Sequence, residues 1–339
     1  SWVTGIDDEN GFSMIYIRMM SLASVCYLMF GLWFLKKFLD FYYRPGVVYF
    51  TITLIFLGTN LFYYTLIEGT MSHVYSFFLF ALFLYTLKKY HLSPAYPSFI
   101  LLSITLSLII LIRPTNILLG LLLFTWDASA PAEWLSRLKH FLKPSYILSF
   151  LAILFVVLLP QLIYWKYLSG NWLHFSYHGE GFTNWRHPMI AGVLFSPVNG
   201  LFTYTPLALM FIAGTVMMIV HGKSNGWHVA AIFLLVTMIC ATWKMWYFGC
   251  SFGQRSFIEY YAVLAVPFGY LFTRIFGMRR FIGSTVLLFI IFLFAYFNLR
   301  YTVSLYRFDH CYWGSTWDWD HYLRSVERCG ILSPVHQVQ

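Results

Sequence analysis

Charge is what this sequence has least of. Asp, Glu, Lys and Arg together make up 10% of its 339 residues, against about 25% in an ordinary soluble domain. A chain so poor in charge and 60% hydrophobic has too little polar surface to cover a water-soluble globule, which excludes that class. The period-2 alternation of a membrane β-barrel is missing too. The apolar runs therefore read as helices, the other structure that satisfies its own backbone inside a bilayer. No Walker loop, dinucleotide-type glycine fingerprint, zinc-protease helix or nucleophile elbow occurs. No polar stretch is long enough to form a nucleotide-binding domain, so any chemistry must draw on a substrate delivered by the membrane or from outside it. The five cysteines include no zinc-type pair, and no internal repeat or low-complexity tract is present.

What is there is a series of apolar runs. A span needs about 20 apolar residues, and ten segments reach or approach that length: 14–35, 47–67, 72–87, 98–112, 115–126, 146–165, 202–220, 228–246, 258–276 and 282–298. The expected fold is all-α, a polytopic membrane protein with about ten transmembrane helices. The fifth segment follows Arg113-Pro114-Thr115-Asn116 so closely that the fourth and fifth are expected to form a broken or re-entrant pair. Between spans, 127–145 places Trp134, Leu138, Phe141 and Leu142 on a helical face opposite Arg137 and Lys139, as in a short interfacial helix; a plain solvated connector fits the same residues.

The charges sort by loop. The connections 36–46, 88–97, 127–145, 221–227 and 274–281 hold twelve of the 22 basic residues but only Asp40, Asp127 and Glu133 among the acids. The positive-inside rule puts them in the cytoplasm. Residues 1–13, 68–71, 167–201, 247–257 and the tail from 299 then face outside, with ten of the thirteen acidic residues on or near that side. Basic loops facing anionic lipid account for much of the net +9, so no nucleic-acid partner is implied. Cys26, Cys240 and Cys250 read as small buried fillers. Cys311 and Cys329 would meet an oxidising compartment in the outer tail, which leaves a disulfide between them open. Ser1 is not an initiator Met, and the first residues show no signal-peptide core. With both ends outside, a fragment that has lost an upstream span is expected. Its organisation reads as a helical membrane domain over 1–298 and an outer segment over 299–339.

Four outer clusters carry candidate chemistry. In Glu68-Gly69-Thr70-Met71-Ser72-His73, a carboxylate and an imidazole at the mouth of two helices suit a divalent metal or a phosphate counter-ion, while a solvated loop capped by Ser72 is the plainer reading. In Arg113-Pro114-Thr115-Asn116, the proline breaks a helix and Arg113 offers a planar donor fork for phosphate oxygens. Glycines flank Glu180 in His178-Gly179-Glu180-Gly181-Phe182 and allow a sharp turn that projects the carboxylate. With His178 beside it, that group suits acid–base work. In Gly253-Gln254-Arg255-Ser256, Arg255 lies at the start of a helix, a position fit for an anion; Glu259, four residues on, equally allows a structural pair with Arg255.

These stretches, with Leu194-Phe195-Ser196 and Gly200-Leu201-Phe202-Thr203-Tyr204-Thr205-Pro206, resemble lipid-linked sugar transferases of the GT-C superfamily. The similarity is to bacterial relatives of the protein mannosyltransferases and of the lipid A aminoarabinose transferase. The resemblance implies a multi-pass protein of the bacterial inner membrane with its active face toward the periplasm. It implies a polyprenyl-phosphate sugar donor, its tail between helices and its phosphate near outer arginines, and a lipid, glycan or protein acceptor. Transfer is then a single displacement with inversion, with Glu180, Glu68 and His178 as catalytic candidates and Arg255, Gln254, Arg113, Asn116, His73 and Tyr204 as substrate-binding ones. No metal ligand is assigned, and a divalent metal stays possible as cofactor. The family's acidic motif follows its first span; Asp7, Asp8 and Glu9 end an outer loop instead and do not match it. Two other classes stay open: a transporter or flippase for a lipid or small solute, which calls for repeated halves and mid-membrane charges, and a non-catalytic membrane partner in envelope assembly.

Overall fold

The computed structural model describes residues 14–175, 179–249, 251–278, 281–308 and 317–329. Among these, every regular element is a helix. In chain order they are α1 (Met14–Leu39), α2 (Pro45–Gly58), α3 (Leu61–Leu66), α4 (His73–Leu92), α5 (Tyr96–Ile112), a 3-10 run over Pro114–Leu121, α6 (Leu122–Thr125), α7 (Pro131–Phe141) and α8 (Pro144–Ser169). They continue with α9 (Ile190–Phe195), α10 (Leu201–Tyr204), α11 (Ala208–Val220), α12 (Ser224–Thr242), a 3-10 turn over Arg255–Phe257, α13 (Tyr261–Phe276), α14 (Phe281–Phe308) and α15 (Trp319–Arg328).

The chain is all-α, and four helices are long and apolar enough to cross a membrane: Met14–Leu39, Pro144–Ser169, Ser224–Thr242 and Ile282–Ser304. Five shorter apolar helical segments accompany them. The ten apolar runs of the sequence do not become ten unbroken helices, and each break has a local cause. The run 47–67 stops at Thr59, whose hydroxyl donates to the Ile55 carbonyl (2.6 Å) and accepts from the Leu61 amide (3.2 Å). The run 115–126 follows Pro114, which forces Arg113 into an extended conformation (φ −148°, ψ 107°), and it coils as 3-10 turns rather than as a span. Pro206 interrupts 202–220, so α10 ends at Tyr204 and α11 starts at Ala208. The last run extends well past 298, because α14 continues to Phe308. The division expected at 298–299 therefore falls inside a helix, where Asn298 donates to the Tyr204 carbonyl (2.9 Å) and Arg300 to that of Cys329 (2.8 Å).

Burial separates an inner layer from an outer one. Twelve of the sixteen residues of α13 are buried, and it packs against α2, α4 and α11. At about 1.5 Å per residue, α13 is roughly 24 Å long, short of the ~30 Å hydrocarbon core; surrounded by protein, it need not match the bilayer. α8 is the opposite case. It buries none of its residues and leans on α5, so the side turned away from α5 stands exposed as an apolar face.

The loops grouped by charge in the sequence meet at one end. Asp127 accepts from Tyr42 and Lys88 (2.7 Å each), and its carboxylate and backbone amide pair with the Asn225 side chain (2.5 and 2.8 Å). Trp126 donates to the Tyr42 hydroxyl (2.8 Å), and Tyr270 lies 3.1 Å from His221. One carboxylate thus ties the loops after α1 and α6 to the last turns of α4 and the start of α12. This gathering around Asp127 was not expected from the sequence.

Candidate functional site

At the opposite end, three of the four sequence clusters converge. Their centre is Glu259, between the 3-10 turn and α13, whose side chain is 0% exposed. Its Oε1 accepts from Arg113 (3.0 Å) and from the Asn116 amide (3.1 Å), and its Oε2 lies 3.2 Å from His73 Nδ1. Arg113 also donates to the Ser256 hydroxyl (3.2 Å), and Tyr260 donates to Asn116 Oδ1 (3.1 Å). Pro114 ends α5 and sets Arg113 in an extended conformation, from which Arg113 and Asn116 both reach the Glu259 carboxylate. Burying a carboxylate requires such saturation, since an unpaired charge there costs several kcal/mol.

The pairing of Glu259 corrects one sequence reading. Its partner is not Arg255, four residues earlier, because Arg255–Phe257 form a 3-10 turn and not an α-helix, which rotates the two side chains apart. Arg255 is half-buried, and its guanidinium donates to a thioether, Met71 Sδ at 3.9 Å. No carboxylate pairs with it among the described residues. Met71 also donates its amide to the Glu68 carbonyl (2.9 Å), so Glu68 and Arg255 flank one turn. Gly69 lets that turn approach α1: a Cβ there would come within 2.5 Å of Ser24 Oγ.

The loop 249–256 is braced from below. Asn60, released by the break in the second run, donates to the Phe252 carbonyl (3.0 Å) and accepts from Tyr261 (2.7 Å). The Phe252 amide donates to the Tyr64 hydroxyl (3.0 Å). Gly253 has φ +65°, and a Cβ on it would meet Tyr204 Cβ at 2.8 Å, so both conformation and space demand glycine. A second brace comes from Asn199, whose amide donates to the Tyr247 and Gly249 carbonyls (3.0 and 2.9 Å). Between those carbonyls Phe248 is held at φ 56°, unusual for an aromatic residue, with its ring 5.9 Å from the Arg113 guanidinium. The sequence reading missed Asn60, Tyr64, Asn199 and Phe248. A polar residue interrupting an apolar run, as Asn60 does, is the signal that points to them.

The other candidates lie apart from this centre. Gln254 is fully buried and donates to the Trp246 carbonyl (3.1 Å). Tyr204 is fully buried too; its hydroxyl donates to the Pro197 carbonyl (2.6 Å) and accepts from Trp317 (3.2 Å), so it packs the scaffold beneath Gly253. Glu180 sits on a strand-like stretch running beside the end of α12, held by Lys244 to Gly181 (2.8 Å), Asn184 to Thr242 (3.0 Å) and Met189 to Ala241 (3.0 Å). Its carboxylate accepts from Trp243 (3.3 Å), and no hydrogen bond joins it to the Glu259 cluster. His178, the acidic group at 7–9, Cys250 and Cys311 lie outside the described residues, while Cys329 is buried just past the end of α15. Among the described residues, no group of three or more His, Cys, Asp or Glu side chains is placed to hold a metal ion.

Chemically, the end offers a saturated ionic core that fixes the backbone, with one half-buried guanidinium left over and a carboxylate across the same turn. Such a guanidinium suits a phosphate or carboxylate ligand. Comparison with known proteins adds no relative: no family model, curated protein or solved structure matches this chain.

Proposed function

We propose that this chain is an integral-membrane glycosyltransferase of GT-C-like, multi-pass architecture that moves a sugar from a polyprenyl-phosphate donor to an acceptor at the membrane surface. The observation that carries the reading is Arg255, a half-buried guanidinium with no carboxylate partner, on a braced loop beside a buried ionic cluster. A phosphate anchored in the membrane by its lipid tail is the ligand such a group fits. Arg255 binds the phosphate, Arg113 supplies further positive field from its place on Glu259, and His73 and Asn116 hold that arrangement in position. The acceptor oxygen attacks the anomeric carbon, the bond from that carbon to the phosphate oxygen breaks, and the phosphate leaves with the electron pair. The acceptor proton passes to a carboxylate, for which Glu68, across the turn from Arg255, and Glu180 are the candidates. Stabilising the leaving phosphate is the larger part of catalysis in such a displacement. The site faces the periplasm of a bacterial inner membrane in this reading.

Reconstituted protein supplied with polyprenyl-phosphate sugars tests this by mass spectrometry of the released polyprenyl phosphate. Release that disappears in Arg255→Met supports the proposal. Absence of release from a panel of donors, in protein that is well folded, overturns it.

A further inference from the structure

α7 has three distinct sides. One faces protein: Arg137 donates to the Trp126 carbonyl (2.5 Å), His140 Nε2 lies 2.8 Å from the Tyr90 hydroxyl, and the Phe141 ring packs 5.6 Å from Tyr90. Phe141 is therefore not on the free apolar face, as the sequence pattern had it. The second side carries Leu135, Leu138 and Leu142, spaced by three and four residues so that they form one stripe; they are 51%, 37% and 55% exposed. The third side carries Ala132, Ser136 and Lys139, all exposed. No residue of α7 is buried.

What covers the leucine stripe follows from chain continuity and charge. Two residues beyond α7 the chain enters α8, which buries none of its residues and is long and apolar enough to cross a membrane. α7 therefore lies at the foot of a lipid-facing helix, with an apolar stripe beside its polar side, the arrangement of a helix resting in the headgroup layer. Lys139 and Lys143 are exposed there and have no acidic partner among the described residues. Glu133, the only acid between residues 128 and 170, is turned back to the Ser129 amide (3.1 Å). Asp127 is already engaged by Lys88.

We infer that α7 is a binding helix for anionic phospholipid, with Leu135, Leu138 and Leu142 among the acyl chains and Lys139 and Lys143 on the headgroup phosphates. The inference rests on the membrane reading alone and not on the proposed transfer reaction. A lysine near an anionic leaflet favours association by about fivefold, so the pair should enrich anionic over neutral lipid severalfold around the stripe.

The test places a photo-crosslinking residue on the helix, Leu138→p-benzoylphenylalanine or Ser136→p-benzoylphenylalanine, in the full chain. The protein is reconstituted in vesicles of phosphatidylcholine and phosphatidylglycerol at roughly 7:3, a composition that gives an anionic surface. Illumination should give lipid adducts at 138 and few at 136. The phosphatidylglycerol share of adducts at 138 should rise from the bulk value of roughly 30% to about two thirds, the result of a fivefold change in odds, and Lys139→Gln with Lys143→Gln should return it to the bulk share while total lipid adducts persist. If that double variant does not reconstitute, about 0.5 M NaCl should produce the same loss by screening. Adducts at 138 that are mainly to protein, or a phosphatidylglycerol share equal to the bulk value, would overturn the inference.

Discussion

Breaking the Arg113–Glu259 pair gives the most direct view of what holds the site end of the bundle together. Arg113→Met removes the guanidinium and leaves Glu259 fully buried with only Asn116 and His73 beside it. Removing one partner of a buried pair costs about 3–5 kcal/mol because a charge is left uncompensated. The Arg113 side chain keeps 23% exposure, so water relieves part of the loss and the lower end, about 3 kcal/mol, is expected. Glu259→Gln should cost about 1–3 kcal/mol, because the new amide must turn its NH2 toward a donor. In Arg113→Met with Glu259→Gln, no charge stays behind, so the penalty of an uncompensated buried carboxylate is removed. The double variant should therefore be more stable than Arg113→Met alone, with a coupling energy of about 2 kcal/mol. Reversible unfolding in mixed micelles, followed by tryptophan fluorescence, measures all four proteins. A single Arg113→Met that costs under about 1 kcal/mol, or a double variant as unstable as the sum of the singles, would refute the reasoning.

Further outcomes follow from the same geometry. Gly253→Ala should destabilise the chain by about 2 kcal/mol or more, because strain at φ +65° adds to the clash with Tyr204; a melting curve in detergent measures it. Asp127→Ala should cost about 1–3 kcal/mol, since it strips Lys88, Tyr42 and Asn225 of one shared partner, and protease should then cut faster in the loops after α1 and α6. Glu180→Gln should leave the melting temperature within about a degree, because a lone contact to Trp243 contributes under about 1 kcal/mol. It should slow sugar transfer, and an unchanged rate would remove Glu180 from the site.

Much of this organisation was legible in the sequence, because it rests on composition and on proline. Apolar runs read directly as membrane helices, the lysine-rich loops do meet at one end, and Pro114 marked the break after α5. Clusters chosen for their residue chemistry converged where their order along the chain suggested, so that His73, Arg113 and Asn116 meet. The pairings within the site were not legible. Whether Glu259 pairs with Arg255 or Arg113 depends on a single 3-10 turn, and hydropathy does not distinguish 3-10 from α over three residues. Likewise the run 47–67 reads as one span, because Thr59 and Asn60 lower its mean hydropathy too little to mark a break. The reason for the break lies nearly two hundred residues away, in the Phe252 carbonyl that Asn60 must reach. Tyr204 was misleading in the opposite sense: its motif looks polar and loop-like, yet the side chain fills the scaffold.

Arg255 carries the functional reading, so binding at that residue tests the account most directly. Affinity for a polyprenyl phosphate can be measured on the protein in nanodiscs by titration with native mass spectrometry. A charge-assisted contact of this kind is worth about 1.5–3 kcal/mol, so Arg255→Met should weaken binding roughly 10- to 100-fold. Arg255→Lys should recover only part of it, because the planar fork is lost, while Arg324→Met, on α15, should bind as the unaltered protein does. Equal affinity in the unaltered protein and Arg255→Met would contradict the account.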